Sequence, residues 1–139
     1  MTPFGTPSYG ITRRLPPQEH SAAVVQVTQA LGRQGFGVLT TIDMTATLQA
    51  KLGVDLARPY TILGACNPPM ANAAVGLEPA IGLLLPCNVV VTEEEGGVVV
   101  VSAIHPGQMF SVVENPALGD VAQEVEGRLT AALDELTGG

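Results

Sequence analysis

Two valine-rich runs, Cys87 to Thr92 and Val98 to Ile104, are separated only by Glu93-Glu94-Glu95-Gly96-Gly97. Short β-branched runs joined by a glycine-containing loop predict a β-hairpin, because glycine supplies the backbone freedom such a turn needs. The acidic tip reads as a solvated loop. Two registers follow. A turn centred on Glu95 and Gly96 sets Cys87 opposite Ile104, and one centred on Gly96 and Gly97 sets Asn88 opposite His105. Either brings Cys87, Asn88 and His105 to one end of the hairpin.

The rest of the chain must supply partners for that hairpin. Tyr9 to Leu15 alternates, with Tyr9, Ile11, Arg13 and Leu15 on one side, and Pro16-Pro17 ends it as a first strand. Gln18 to Gln34 is helical by spacing, with Ala23, Val24, Val27, Ala30 and Leu31 on one stripe and Gly35 as the stop. Phe36, Val38, Thr40 and Ile42 alternate with Gly37, Leu39 and Thr41 as a second strand. Asp43 caps a short helix from Met44 to Leu52, and Tyr60 to Cys66 forms a third strand. Asn67 and Pro68 have the form of an N-cap followed by a first-turn proline, so a helix runs from Pro68 to about Leu77. Ala80 to Leu85 is compatible with a strand or a short buried helix, and Gln108 to Glu114 is equally ambiguous. After Asn115 and Pro116, a final helix carries Leu118, Val121, Ala122, Val125, Leu129, Ala132, Leu133 and Leu136 on one face.

The resulting order is β-α-β-α-β-α-β-β-α. It predicts an α+β domain of two layers, a mixed sheet of about five strands with helices mostly on one face. Residues 1–8, with two prolines and a glycine, are expected to form a loose leader, and 9–137 a single domain. A chain of 139 residues is long enough to bury a core without disulfide staples, and its 46% apolar content is mostly aliphatic. The net charge of −7 and the absence of tryptophan argue against nucleic-acid binding, which needs a basic groove and stacking platforms. No apolar stretch is long enough to span a bilayer, so no membrane partner is expected. Met1 to Gly5 lacks a basic n-region, so no signal peptide is expected and a cytoplasmic, thiol-reducing setting is the default.

Chemistry, if present, concentrates between Tyr60 and Glu93, where both cysteines occur, each followed by asparagine: Cys66-Asn67 and Cys87-Asn88. Cys66 precedes a helix N-terminus, whose partial positive charge favours a thiolate. Cys87 lies near His105. If the strands bearing the two cysteines are antiparallel neighbours, the thiols reach the same edge of the sheet; if parallel, opposite edges. A redox, nucleophilic or soft-metal site drawn from Cys66, Cys87 and His105 is one reading. Two small buried hydrophobes filling the core is the other. Asn67 reads as a helix cap and Asn88 as a hydrogen-bonding residue at a strand start. There is no CxxC, so a closed zinc site is not expected. Gly32-Arg33-Gln34-Gly35-Phe36-Gly37 follows a helix rather than a strand, which removes a phosphate-cradle reading.

Gly64-Ala65-Cys66-Asn67-Pro68 followed by Gly82-Leu83-Leu84-Leu85-Pro86-Cys87-Asn88-Val89-Val90-Val91 resembles the domain-of-unknown-function 302 (DUF302) family. The resemblance runs from the first strand to the final helix. It implies a small α+β domain, often paired as a homodimer, and brings no activity, cofactor or catalytic residues with it. His105 belongs to neither motif.

Three functions are thus compatible with the chain. The leading one is binding of a small molecule or metal ion, with or without redox activity, at a site formed by Cys66, Asn67, Cys87 and Asn88, with His105 beside it. The second is a structural or interaction module, paired through the valine-rich hairpin or an outer strand, whose cysteines only fill the core. The third is an enzyme with a cysteine nucleophile and His105 as base, for which the remaining roles have no candidates.

Overall fold

The computed structural model describes residues 2–138, so Met1 of the expected leader lies outside the described residues. Five strands form one sheet: β1 (Gly10–Leu15), β2 (Gly37–Asp43), β3 (Tyr60–Cys66), β4 (Cys87–Glu93) and β5 (Val99–Ile104). Their spatial order is β1-β5-β4-β3-β2. The α+β class is as the patterning predicts, and the order of elements largely so, with one short additional helix after β5. Every ladder is antiparallel, where a mixed sheet was expected. The crossovers carrying helices α2 (Met44–Leu52) and α3 (Pro68–Leu77) each return the chain in the opposite direction, whereas α1 (His20–Arg33) carries it from one edge of the sheet to the other, where β2 runs parallel to β1.

The hairpin pairs Val89 with Ala103 and Glu93 with Val99, a register whose midpoint is Gly96. This lies between the two expected registers, and continued past the last pair it sets Cys87 against His105. Gly96 and Gly97 both take positive φ, +84° and +81°, so the loop uses two left-handed residues in a row. The hairpin is interior: β4 also pairs with β3, and β5 with β1. It therefore offers no edge for pairing two copies, and the edges are β1 and β2.

One sheet face packs on α1 and on the final helix, α5 (Gly119–Leu136). Ile11, Leu15, Leu63, Ala65, Val89, Val91, Val99, Val101 and Ala103 point into this core, against Ala23, Val27, Leu31, Val125, Leu129 and Leu133 of the two helices. Each fully buried valine or leucine side chain here stabilises the fold by ~1.5–3 kcal/mol relative to exposure. Arg13 alternates onto the same face and reaches Asp134 of α5 at 2.9 Å. On the other face, Thr12 and Ser102 join hydroxyls at 2.8 Å. Residues 2–8 lie against that second face without regular structure. There the Phe4 N–H donates to Glu94 Oε2 at 3.3 Å and the Gly10 N–H to the Pro7 carbonyl at 3.1 Å.

The alternation expected along β2 breaks at Leu39. Val38 pairs with Ala65 and Thr40 with Gly64, so Leu39 is the extra residue of a bulge, and 67% of it is exposed. The two ambiguous segments also resolve. Pro79–Leu84 is a 3-10 turn, and Pro106–Phe110 a short helix, α4. With α3 and α5 they build a second apolar cluster of Ala74, Ile81, Phe110, Leu118 and Ala122. Among the described residues no helix is long and apolar enough to cross a membrane.

Candidate functional site

The two apolar clusters do not close on each other completely. Between them lies a cavity of about 270 Å³. The main core contributes Phe36, Ala65, Cys87 and Val125 to its wall, and the second cluster contributes Ala74, Phe110, Leu85 and Val121. Cys66, Asn67 and Met70 border it from the β3–α3 junction, and Leu39 from the β2 bulge. The wall is overwhelmingly apolar, with the two thiols and one amide as its polar exceptions.

The local fold explains each polar position. Asn67 ends β3 in an extended conformation, φ −101° and ψ 105°, and is the N-cap of α3. Its Oδ1 accepts from the Met70 N–H at 3.4 Å and its Nδ2 donates to the Gln34 carbonyl at 3.3 Å, so the side chain ties α3 to the end of α1. Only 7% of Asn67 is exposed. Its place at the cavity thus comes with a structural duty that the Asn-Pro pattern predicts.

Cys87 opens β4 opposite Ala65 and points into the core, 6% exposed. Burial pushes its thiol up to about 11, and the neighbouring Cys66 adds to the shift. At neutral pH Cys87 is therefore a protonated, uncharged wall residue. Cys66 is half-buried and, like Cys87, free.

β3 and β4 are antiparallel, so both cysteines do fall at one end of the sheet. They are, however, one residue out of register. Ala65, not Cys66, faces Cys87, and alternation starts the two side chains from opposite faces. The thiols border a common cavity without forming a pair.

The remaining two candidates stand apart. Asn88 alternates away from Cys87 to the second sheet face. There it is exposed and borders a smaller cavity with Tyr9, Tyr60, Val90 and Ile104. His105 caps α4: its Nδ1 accepts from the Gln108 N–H at 3.2 Å, and Nε2 lies 3.5 Å from Glu126 Oε1. Its imidazole is engaged there and does not line the cavity, so the geometry supplies no base to either cysteine. Among the described residues no group of three or more His, Cys, Asp or Glu side chains could hold a metal ion.

Several lining residues carry no sequence signal for the site. Phe36, Met70, Phe110 and Val121 read as ordinary apolar positions, and Leu39 enters only because a bulge turns it. The glycine of the first motif does have a visible reason. A Cβ on Gly64 would collide with Thr40 Oγ1 and lie 2.8 Å from Pro86 Cγ. Gly64 lets Thr40 of β2 and Pro86, which itself lines the cavity, close over β3.

The family model described as domain of unknown function DUF302 matches residues 11–136. Among solved structures, the chain is similar to the crystal structure of an uncharacterized conserved protein DUF302 from Bacillus stearothermophilus. The two share 30% sequence identity at a TM-score of 0.86, over 94% of this chain and 99% of that one. No curated protein matches the chain.

Proposed function

The chain belongs to the DUF302 family, and from that premise we propose that it binds a small, mostly apolar organic molecule in the cavity bordered by Cys66, Asn67 and Cys87. The carrying observation is the cavity itself, about 270 Å³ in volume at the seam of two apolar clusters. Small-molecule sites are concave and apolar with a few convergent polar groups, and an apolar cavity of ~150 Å³ already holds benzene. A ligand somewhat larger than benzene, with at most one or two polar atoms, suits this wall. The protonated Cys87 thiol and the Asn67 amide are the groups that would orient it. Redox or nucleophilic chemistry, if the site performs any, falls to Cys66, the more exposed thiol. Asn88 and His105 have no part in this reading.

Indole and a series of straight-chain alcohols, titrated by calorimetry with thermal shift alongside, test the proposal. Saturable binding that is lost when Ala71→Leu fills the cavity supports it. Absence of saturable binding, or indifference to Ala71→Leu, sinks it.

A second reading, pairing as a homodimer, is favoured by β2. This edge strand is exposed along most of its length, with Leu39 at 67% and Ile42 at 44%, and has no lysine or arginine to guard it. The other edge, β1, carries Arg13 and Arg14, ion-paired to Asp134 and Glu94. A dimer would therefore form through β2. Light scattering of the protein and of Ile42→Lys, which places a guarding charge on the edge, tests it: a dimer in the parent and a monomer in the variant is the supporting result, and a monomeric parent overturns it.

A further inference from the structure

The outer surface of the second apolar cluster is not closed off either. In the 3-10 turn Pro79–Leu84, Ile81 turns inward and is 1% exposed, while Leu83 turns outward and is 88% exposed. Across a groove of about 430 Å³ stands Val112, 73% exposed, with Leu84 and Val113 in the floor. A single exposed leucine needs no explanation, but large aliphatics gathered around a groove mark an interaction surface.

The charges around the groove are of one sign. Glu78 and Glu114 border it. Asn115 fixes the first of these, donating from Nδ2 to Glu78 Oε1 at 3.0 Å and to the Leu77 carbonyl at 3.1 Å. That amide staples the end of α3 to the segment before α5, so the two walls are held relative to each other. No lysine or arginine occurs anywhere from 59 to 127. A second copy of the chain would set Glu78 and Glu114 against themselves in an isologous contact, and both molecules carry −7. An anionic membrane surface would meet the same repulsion.

We propose that this groove docks a peptide segment of another protein that presents leucine-like side chains flanked by lysine or arginine. The apolar side chains would fill the space between Leu83 and Val112, and the basic flanks would meet Glu78 and Glu114. This surface shares no lining residue with the cavity bordered by Cys66 and Cys87 and does not depend on it.

Three labelled synthetic 12-residue peptides test the assignment by fluorescence anisotropy. One has a leucine core with lysine flanks, one the same core with glutamate flanks, and one a serine core with lysine flanks. Only the first should bind. Leu83→Ser and Glu114→Lys, both at surface positions, should each weaken it at least tenfold, while circular dichroism stays unchanged. Added salt should weaken binding to the parent more than to Glu114→Lys. Equal binding of the serine-core peptide, or indifference to Leu83→Ser, would mean attraction to the acidic surface as a whole and overturns the proposal. So does failure of the leucine–lysine peptide to bind. Concentration-dependent self-association, or binding to phosphatidylglycerol vesicles, that Leu83→Ser abolishes also overturns it.

Discussion

Ala65 and Cys87 face each other across the β3–β4 ladder, which leaves Cys66 one residue out of step and starting from the opposite sheet face. The two thiols should therefore behave as individuals. With a thiol-reactive probe at neutral pH, Cys66 should label readily and Cys87 slowly, because burial holds the Cys87 thiol near 11 and leaves little thiolate. Cys66→Ser should remove the fast phase. Two fast thiols in the folded protein, or an intramolecular disulfide formed under mild oxidation without loss of structure, would contradict the ladder geometry.

Gly64 should not tolerate a methyl group. Its Cβ would meet Thr40 Oγ1 and Pro86 Cγ, the latter at 2.8 Å. Gly64→Ala should cost ~1–3 kcal/mol by overpacking. Adding Thr40→Ala should recover part of that loss, so chemical denaturation of the double-mutant cycle should show favourable coupling. Additive losses would mean that the clash is relieved elsewhere.

His20 predicts a pH dependence of stability. Its Nε2 is 2.8 Å from Thr61 Oγ1, and its Nδ1 is buried without a hydrogen-bond partner. Burial lowers its pKa, against the opposing pull of Glu93 and Asp43. With a folded-state value below the unfolded one, the unfolded chain takes up the proton first. Stability is then full above about 6.5, the ordinary histidine value, and declines as pH falls from there through the folded-state pKa. His20→Gln should flatten this part of the stability–pH curve. An unchanged curve would remove His20 as its cause.

Asn67 should act through the helix it caps. Asn67→Ala should destabilise the fold by ~0.5–2 kcal/mol, the usual cost of losing an N-cap. Asn67→Asp should retain most of the stability, since a carboxylate also caps and favours a helix N-terminus. If thermal unfolding of Asn67→Ala matches the parent, the 3.3–3.4 Å contacts of this side chain carry no weight.

Much of the fold was legible because it rests on local periodicity. The stripe Ala23-Val27-Ala30-Leu31 and that of Val125-Leu129-Ala132-Leu133 lie buried where their spacing puts them. Asn67-Pro68 starts a helix, and the valine-rich hairpin forms around Gly96. The candidate site was only half legible. Cys66, Asn67 and Cys87 do border one cavity, whereas Asn88 and His105 are carried elsewhere.

The sequence by itself determined the five strands, the helices α1, α2, α3 and α5, their order, and the apolar stripes of α1 and α5, since helix and strand periods are written in neighbouring residues. Only the tertiary structure decided that the valine-rich hairpin lies inside the sheet, that its turn centres on Gly96, and that Cys66 and Cys87 are one step out of register. It alone placed a cavity where two apolar clusters meet. The reason is physical. A shift of one residue in pairing reverses every side chain, and that choice is made by contacts between segments far apart in the chain.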